Sequence, residues 1–501
     1  MYVGLGGRRD ILRQMPALSP SRIALLATLL VGCHGPAGDR PGGPGNTDTA
    51  IIDTDSDTDT DTVPIDGDGD GYVDGDDCDD ADPDVFPGAT EHCDGVDEDC
   101  DGEIEPDGVI TLDGDMNLPT IQQALNASLA GSEIVVCPGT WHETLEIQRP
   151  VTLRSRDGSL YTYIDGQDSG VPINATGLGA DTLIVEGFTI RNGLGGGIVM
   201  AIDSTLELTG SVLTNNEGDR GGGLRVANAT LQSVIVNGNE SIGDGGGGGI
   251  WLLGGAVTCS ESQVEYNVAW FGGGVAAGRD ATLTGCLVRG NMAVDGGGLG
   301  TELGVVLDAT GSVFEANDAD YGGGAHLLGD ELIGGDFIGN TGFVGGGIHV
   351  ANTSAIVTDA VVTGNSADIR GGGVNLPVGG ELVRVEVRDN TVVSGNGGGV
   401  FLAQLQLATL TDVTIETNDA DEGAGLYLEG GASMALIGGN LLSNTSLGMG
   451  GGAYLMLGGS VDFQGTDVGL NLPHDIGATS LPAGIDLNAI VTVVCTNAGC
   501  P

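Results

Sequence analysis

The stretch Asp66-Gly67-Asp68-Gly69-Asp70-Gly71-Tyr72-Val73-Asp74-Gly75-Asp76-Asp77 has the residue types and the spacing to hold a hard cation. Read as a twelve-residue loop, it puts carboxylates of Asp66, Asp68, Asp70, Asp74 and Asp77 at positions 1, 3, 5, 9 and 12. Tyr72 at position 7 offers its backbone carbonyl, and Gly71 at position 6 allows the sharp turn. Position 12 is Asp rather than Glu, so bidentate ligation is shorter in reach. A partial second copy, Asp97-Glu98-Asp99-Cys100-Asp101-Gly102, has Glu105 at its ninth position but Gly108 at its twelfth. Oxygen ligands of this density point to Ca²⁺. His92 together with cysteine thiolates would instead suit copper.

Nine Cys add a second chemistry. In an exported chain they pair rather than ligate. Spacing suggests Cys93 with Cys100, Cys495 with Cys500, and Cys259 with Cys286 as a staple between neighbouring windings. Cys78 and Cys137 are then left to join the acidic segment to the first coil. A third candidate surface lies further on. The position two after each glycine cluster reads Val199, Arg225, Trp251, Ala276, Gly300, His326, His349, Asn375, Phe401, Tyr427, Tyr454. If this column faces outward, Trp251, Phe401, Tyr427 and Tyr454 form a sugar-stacking row. His326 and His349, about 4.8 Å apart on adjacent rungs, could share a metal or a proton. The plainer alternative is that the rings brace one winding on the next.

The elements that must position these residues are legible from a repeat. Glycine clusters ending at Gly197, Gly223, Gly249, Gly274, Gly298, Gly324, Gly347, Gly373, Gly399, Gly425 and Gly452 recur about every 26 residues. Apolar residues follow each cluster at alternate positions, as in Leu224 and Val226 or Val400 and Leu402. Period-two alternation is that of a strand, with these side chains turned inward. A second apolar column stands three residues before a recurring Asn: Phe314, Phe337, Val362, Val387 and Ile415. Short strands joined by tight bends predict a stacked coil of about 14 windings. Gly supplies positive φ at the bends, Asn tolerates the same conformation, and stacked Asn amides can hydrogen-bond along the axis. Only 4% of the chain is aromatic and 94 residues are Gly, a filling that suits a thin coil interior.

Residues Thr120 to Ser155, with Ile121-Gln122-Gln123-Ala124-Leu125, Val135-Val136-Cys137-Pro138-Gly139-Thr140-Trp141 and Pro150-Val151-Thr152-Leu153, resemble the opening segment of right-handed β-helix proteins of the pectin-lyase-like superfamily. That resemblance implies a short helix capping the first coil. The Phe-x-x-Asn and Gly-Gly-Gly-apolar signatures resemble repeats of chlamydial polymorphic outer-membrane proteins, over residues 110 to 490. Asp77-Cys78-Asp79-Asp80 through Glu91-His92-Cys93-Asp94-Gly95 to Asp101-Gly102 resembles a metal-binding motif named after a methanotroph copper-binding protein. The fold class implied is all-β: a right-handed parallel β-helix solenoid with a short capping helix, preceded by an acidic Ca-loop module and a disordered tether. The catalytic signatures of related enzymes are missing. There is no Gly-His-Gly, no Lys, and no Arg-x-Pro-x-x-Arg. Gly335-Asp336-Phe337-Ile338-Gly339 echoes an esterase setting, but Phe337 already belongs to the repeat. Arg220 or Arg370, near Asp219 and Asp368, would be the base and ligand of an unfamiliar lyase.

The termini complete the organisation. Arg22 precedes a short apolar run that ends Leu30-Val31-Gly32-Cys33, which resembles a bacterial lipoprotein signal cleaved before Cys33. The expected layout is signal 1–32, Gly/Pro/Asp/Thr tether 33–65, acidic metal-binding module 66–108, β-helix 109–492 and tail 493–501. All 16 basic residues are Arg, so Schiff-base and P-loop chemistry are excluded. A formal net charge of −54 argues against nucleic acid as a partner. The expectation is a lipid-anchored surface protein of a bacterial outer membrane, binding Ca²⁺. It would display or recognise a glycan or another surface protein without catalysis. The alternative is a polysaccharide lyase or glycoside hydrolase.

Overall fold

The computed structural model describes residues 66–73, 76–89, 96–100, 109–111, 117–478 and 492–494. They fall into two compact units. The first comprises 66–73, 76–89 and 97–100, and the second takes in the rest. The signal, the tether, Cys33, Cys93, Cys495 and Cys500 lie outside the described residues.

The second unit is the predicted right-handed parallel β-solenoid. Each winding contributes one strand to each of three long sheets, of 16, 15 and 14 strands. In one winding, for example, these are Thr205–Thr209, Val212–Thr214 and Leu224–Val226. Among the described residues, only the opening strands Val109–Thr111 and Asn117–Leu118 run antiparallel, the former against Glu133–Val136. The expected short helix, α1, spans Ile121–Ala127. Thr120 caps it by accepting from the Gln123 N–H at 3.1 Å, and the Glu143 carboxylate accepts from Ile121 and Gln122 N–H at 2.8 and 3.0 Å. Its buried face, Ile121, Ala124 and Leu125, starts a single apolar core that runs unbroken to Val468. Both predicted columns stand in register: Phe314 pairs with Phe337, then Val362, Val387 and Ile415.

The recurring asparagines form a ladder through the wall. From Asn216 through Asn239, Asn267, Asn291, Asn317, Asn340, Asn365, Asn390, Asn418 and Asn444 to Asn471, each Nδ2 donates to the next Oδ1 at 2.9–3.0 Å. Each backbone N–H donates to the same oxygen, as Asn317 does to Asn340 at 2.9 Å. The second Nδ2 proton goes to a carbonyl one winding back, as from Asn340 to Phe314 at 2.9 Å. Every amide of the ladder is thereby satisfied. The left-handed conformation falls one residue earlier than expected. It is taken not by the ladder asparagine but by its predecessor, whether Gly238, Tyr266, Ala316, Thr417 or Leu470 (φ 60°, 54°, 52°, 56° and 59°). The ladder's hydrogen bonds hold even Leu and Thr there, against a cost of roughly 1–2 kcal/mol.

The glycine clusters are required by close approach. A Cβ on Gly347 would lie 2.6 Å from Gly373 O, 2.5 Å from Val362 Cγ1 and 3.1 Å from the ladder amide of Asn365. Between the second sheet and these clusters runs an additional short strand. It forms a 7-stranded sheet from Met292–Asp295 to Thr445–Ser446 and a pair, Glu217–Arg220 with Glu240–Gly246.

Candidate metal centre

The acidic loop folds its carboxylates toward one another. Ligand oxygens of Asp66, Asp68 and Asp70 gather within 4.8 Å. Glycines at φ 93° and 107°, Gly69 and Gly71, let the backbone turn tightly enough. Asp66 accepts from Gly69 and Gly71 N–H at 2.6 and 3.2 Å, and Asp70 Oδ1 accepts from Tyr72 N–H at 2.8 Å. Tyr72 stacks on Phe86 at 5.4 Å, pinning the loop's second half.

Asp68, Asp70 and Asp77 each spend Oδ1 on a backbone N–H two residues on, Asp68 on Asp70 at 3.2 Å, Asp70 on Tyr72 and Asp77 on Asp79 at 2.9 Å. The other oxygen of each, Oδ2, is buried and has no partner. Burial pushes the Asp68 carboxyl above the ordinary carboxylate range. Repulsion from Asp70, Asp77 and Asp66 adds to this, against the lowering by the Asp70 N–H. Buried, unpaired carboxylate oxygens in mutual repulsion are what a divalent cation would satisfy. Asp74 and Asp101 lie outside the described residues. Asp97 and Asp99 belong to neither group of three converging ligands found among the described residues.

The second such group is Asp77, Cys78 and Cys100. Its sulfurs are joined: Cys78 and Cys100 form a disulfide with Cα atoms 5.6 Å apart. The expected Cys93–Cys100 pair is therefore not made, and Cys78 does not reach Cys137. Cys78 and Cys100 are brought together by a backbone return, in which Phe86 and Gly88 N–H donate to Glu98 and Asp99 carbonyls at 2.8 and 3.2 Å. Nothing in the spacing of the cysteines distinguishes this pairing. Cys137 is disulfide-bonded too. The staple Cys259–Cys286 forms as expected.

The ring column is in register as expected, but it is not exposed. Trp251 is 2% exposed, Phe401 3%, Tyr427 4%, Tyr454 3%, His326 8% and His349 7%. Sugar stacking on these faces is therefore ruled out as the structure stands. Two contacts cover them. Rings stack winding on winding, Phe401 on Tyr427 at 5.5 Å and Tyr427 on Tyr454 at 5.4 Å. The additional short strand and its turn then lay side chains over the column. Arg220 sits over Trp251 at 4.8 Å and Arg370 over Phe401 at 5.1 Å; Phe271 meets His326 and Tyr321 meets His349. The bracing alternative holds. Arg220 and Arg370 thus lie as lids on rings. Burial, with Glu422 beside it, pushes the Tyr427 hydroxyl up to about 12.

His326 and His349 do lie together, ring centroids 5.0 Å apart. Asp295, which the sequence pattern does not single out, places Oδ1 3.4 Å from His326 Nδ1. No third ligand atom converges on the pair, so these histidines are not among the metal-ligating groups of the described residues. Asn375 Nδ2 lies 2.9 Å from His349 Nδ1. Burial, reinforced by His326 and Arg370, lowers His349 to about 3. An open groove of about 600 Å³ lies elsewhere on the solenoid, along one corner between Ile202 and Val305, with Asp203, Asn228, Arg279 and Asp280 on its walls.

Among the described residues, no helix is long and apolar enough to cross a membrane. Residues 77–106 match the Cu-binding MopE family, whose description is "Putative metal-binding motif". The match begins on Asp77 and spans both cysteines of the disulfide. No curated protein and no solved structure is significantly similar to the chain.

Proposed function

We propose that this is a lipid-anchored, non-catalytic surface protein in which the acidic module binds Ca²⁺ and the solenoid displays a recognition surface. The observation that carries the metal reading is the set of buried, unpartnered Oδ2 atoms on Asp68, Asp70 and Asp77 beside the converged trio of Asp66, Asp68 and Asp70. With the sulfurs held in a disulfide, oxygen is the donor on offer, and oxygen donors select a hard cation. Anchoring at Cys33 and placement at a bacterial outer membrane rest on the signal-like N-terminal sequence. With the ring column covered, recognition of a glycan or a surface protein moves to the corner groove, which Asp203, Arg279 and Asp280 line.

Calorimetric titration of the secreted form tests the metal. The expected result is Ca²⁺ binding that Asp68→Asn with Asp70→Asn weakens at least about tenfold. Equal affinity in wild type and variant would overturn the assignment. Glycan-array binding that Arg279→Ala abolishes would support the groove.

A further inference from the structure

We propose that the open face of the additional short strand, on the windings between Arg220 and Arg370, is a docking surface for a partner protein segment that presents arginine or lysine beside apolar residues. This face is distinct from the corner groove. Three large rings stand open on it: Trp270 is 43% exposed, Tyr321 41% and Phe343 43%. Ile242, also exposed, lies one winding before Trp270. The windings are in register. Phe271, next to Trp270, bridges to Asp295; Asp295 pairs with Tyr321, and Tyr321 with Val344, next to Phe343. At about 4.8 Å per winding the rings span roughly 14 Å along the solenoid. A single exposed ring is ordinary on a protein surface, whereas a row of them rimmed by polar groups marks a binding face.

The charges beside the rings select the occupant. Glu240, Asp295, Asp318 and Asp320 stand on these windings of the strand, no Arg does, and the chain has no Lys. At either end of the stretch the strand supplies its own guanidinium: Arg220 lies over Trp251 at 4.8 Å and Arg370 over Phe401 at 5.1 Å. A cation over a ring is thus a contact this protein already makes with its own residues. The middle windings offer rings and carboxylates without the cation. Guanidinium groups stack on rings and pair with carboxylates at once, and Arg, Trp and Tyr are the residues that carry most interface energy. A second copy of this chain does not fit, because at a net charge of −54 two copies repel each other.

Trp270 is itself the reporter. Trp141 and Trp251 are buried, so of the three tryptophans Trp270 is the one open to solvent. The full secreted chain is titrated at physiological salt with a synthetic peptide that alternates arginine and leucine. Its tryptophan emission is expected to shift to the blue and to gain protection from acrylamide quenching. Phe343→Ser weakens that response at least about fivefold. Acids elsewhere on the chain also attract a cationic peptide, so the anisotropy of a labelled peptide is compared between wild type and Trp270→Ser with Phe343→Ser. Both side chains are open to solvent, so this variant folds, and it is expected to bind at least about tenfold more weakly. Asp320→Asn, which removes charge at nearly constant shape, weakens binding about threefold. Equal affinity in wild type and the double variant, or unchanged tryptophan emission at peptide saturation, would overturn the proposal. So would an equal emission shift with glutamate in place of the peptide's arginine, or with a neutral glucan oligosaccharide.

Discussion

His349 stays uncharged throughout the range in which a free histidine titrates, because burial, His326 and Arg370 all disfavour its proton. The unfolded chain takes that proton below about pH 6.5 and the folded chain refuses it until about 3. Stability contributed by this residue is therefore complete above pH 6.5 and falls as pH drops toward 3, by up to about 4 kcal/mol. Urea midpoints measured between pH 7 and 5 should fall less in His349→Asn than in wild type. Asn340 has a different stake. Its Oδ1 accepts from two Asn317 N–H groups, and its Nδ2 serves Phe314 O and Asn365 Oδ1. Asn340→Ala removes all four bonds; Asn365 Oδ1 keeps the residue-340 backbone N–H, and each of the other partners costs about 1–3 kcal/mol if left unpaired. A loss of several kcal/mol by chemical denaturation is expected, and a loss under about 0.5 would contradict the ladder's role. At this scale the sequence was only partly legible. The asparagine column announced itself by recurrence, and so did the loop acids by spacing. Cysteine partnership did not, because it depends on where Phe86 and Glu98 meet.

The strands that follow each glycine cluster were readable because a physical constraint spans the period. Only a residue without Cβ can sit between the carbonyl of the next winding and the ladder amide. Gly347→Ala should therefore cost far more than Gly304→Ala. A Cβ at Gly304 has nothing within 4 Å and meets only the strain of φ +79°, worth about 1 kcal/mol. Similar thermal midpoints for the two variants would deny the close-approach argument. The additional short strand escaped notice, and with it the burial of Trp251 and His349. Its sequences, such as Glu217-Gly218-Asp219-Arg220 and Asp318-Ala319-Asp320-Tyr321, carry charges rather than an apolar alternation. Phase along the column was right, while its exposure depended on an element whose sequence varies from winding to winding, charged in Glu217–Arg220 and largely apolar in Met292–Asp295.

Over the whole molecule, stability is a sum of windings and of the couplings between neighbours. The Cys259–Cys286 bond crosses a sequence separation of 27, which would contribute about 3–4 kcal/mol through the unfolded chain. Cys259→Ser with Cys286→Ser should lower the midpoint in non-reducing buffer and leave it unchanged under dithiol, where wild type falls to meet it. A net charge of −54 also repels itself, so added salt should raise the midpoint by screening before any specific cation does.

The amide ladder has direction. Its first oxygen, on Asn216, accepts from Gly193 N–H at 2.9 Å, and its last donors, on Asn471, end on the Asp475 carboxylate at 3.0 and 3.1 Å. Acceptor-only chemistry at one extremity makes Asp475 a stop signal, while every interior member is interchangeable with its neighbours. Excising residues 341–365 would simply hand Asn340 to Asn390, and duplicating them would insert one more step. The architecture can thus gain or shed length in whole units like a carpenter's folding rule, with both extremities untouched.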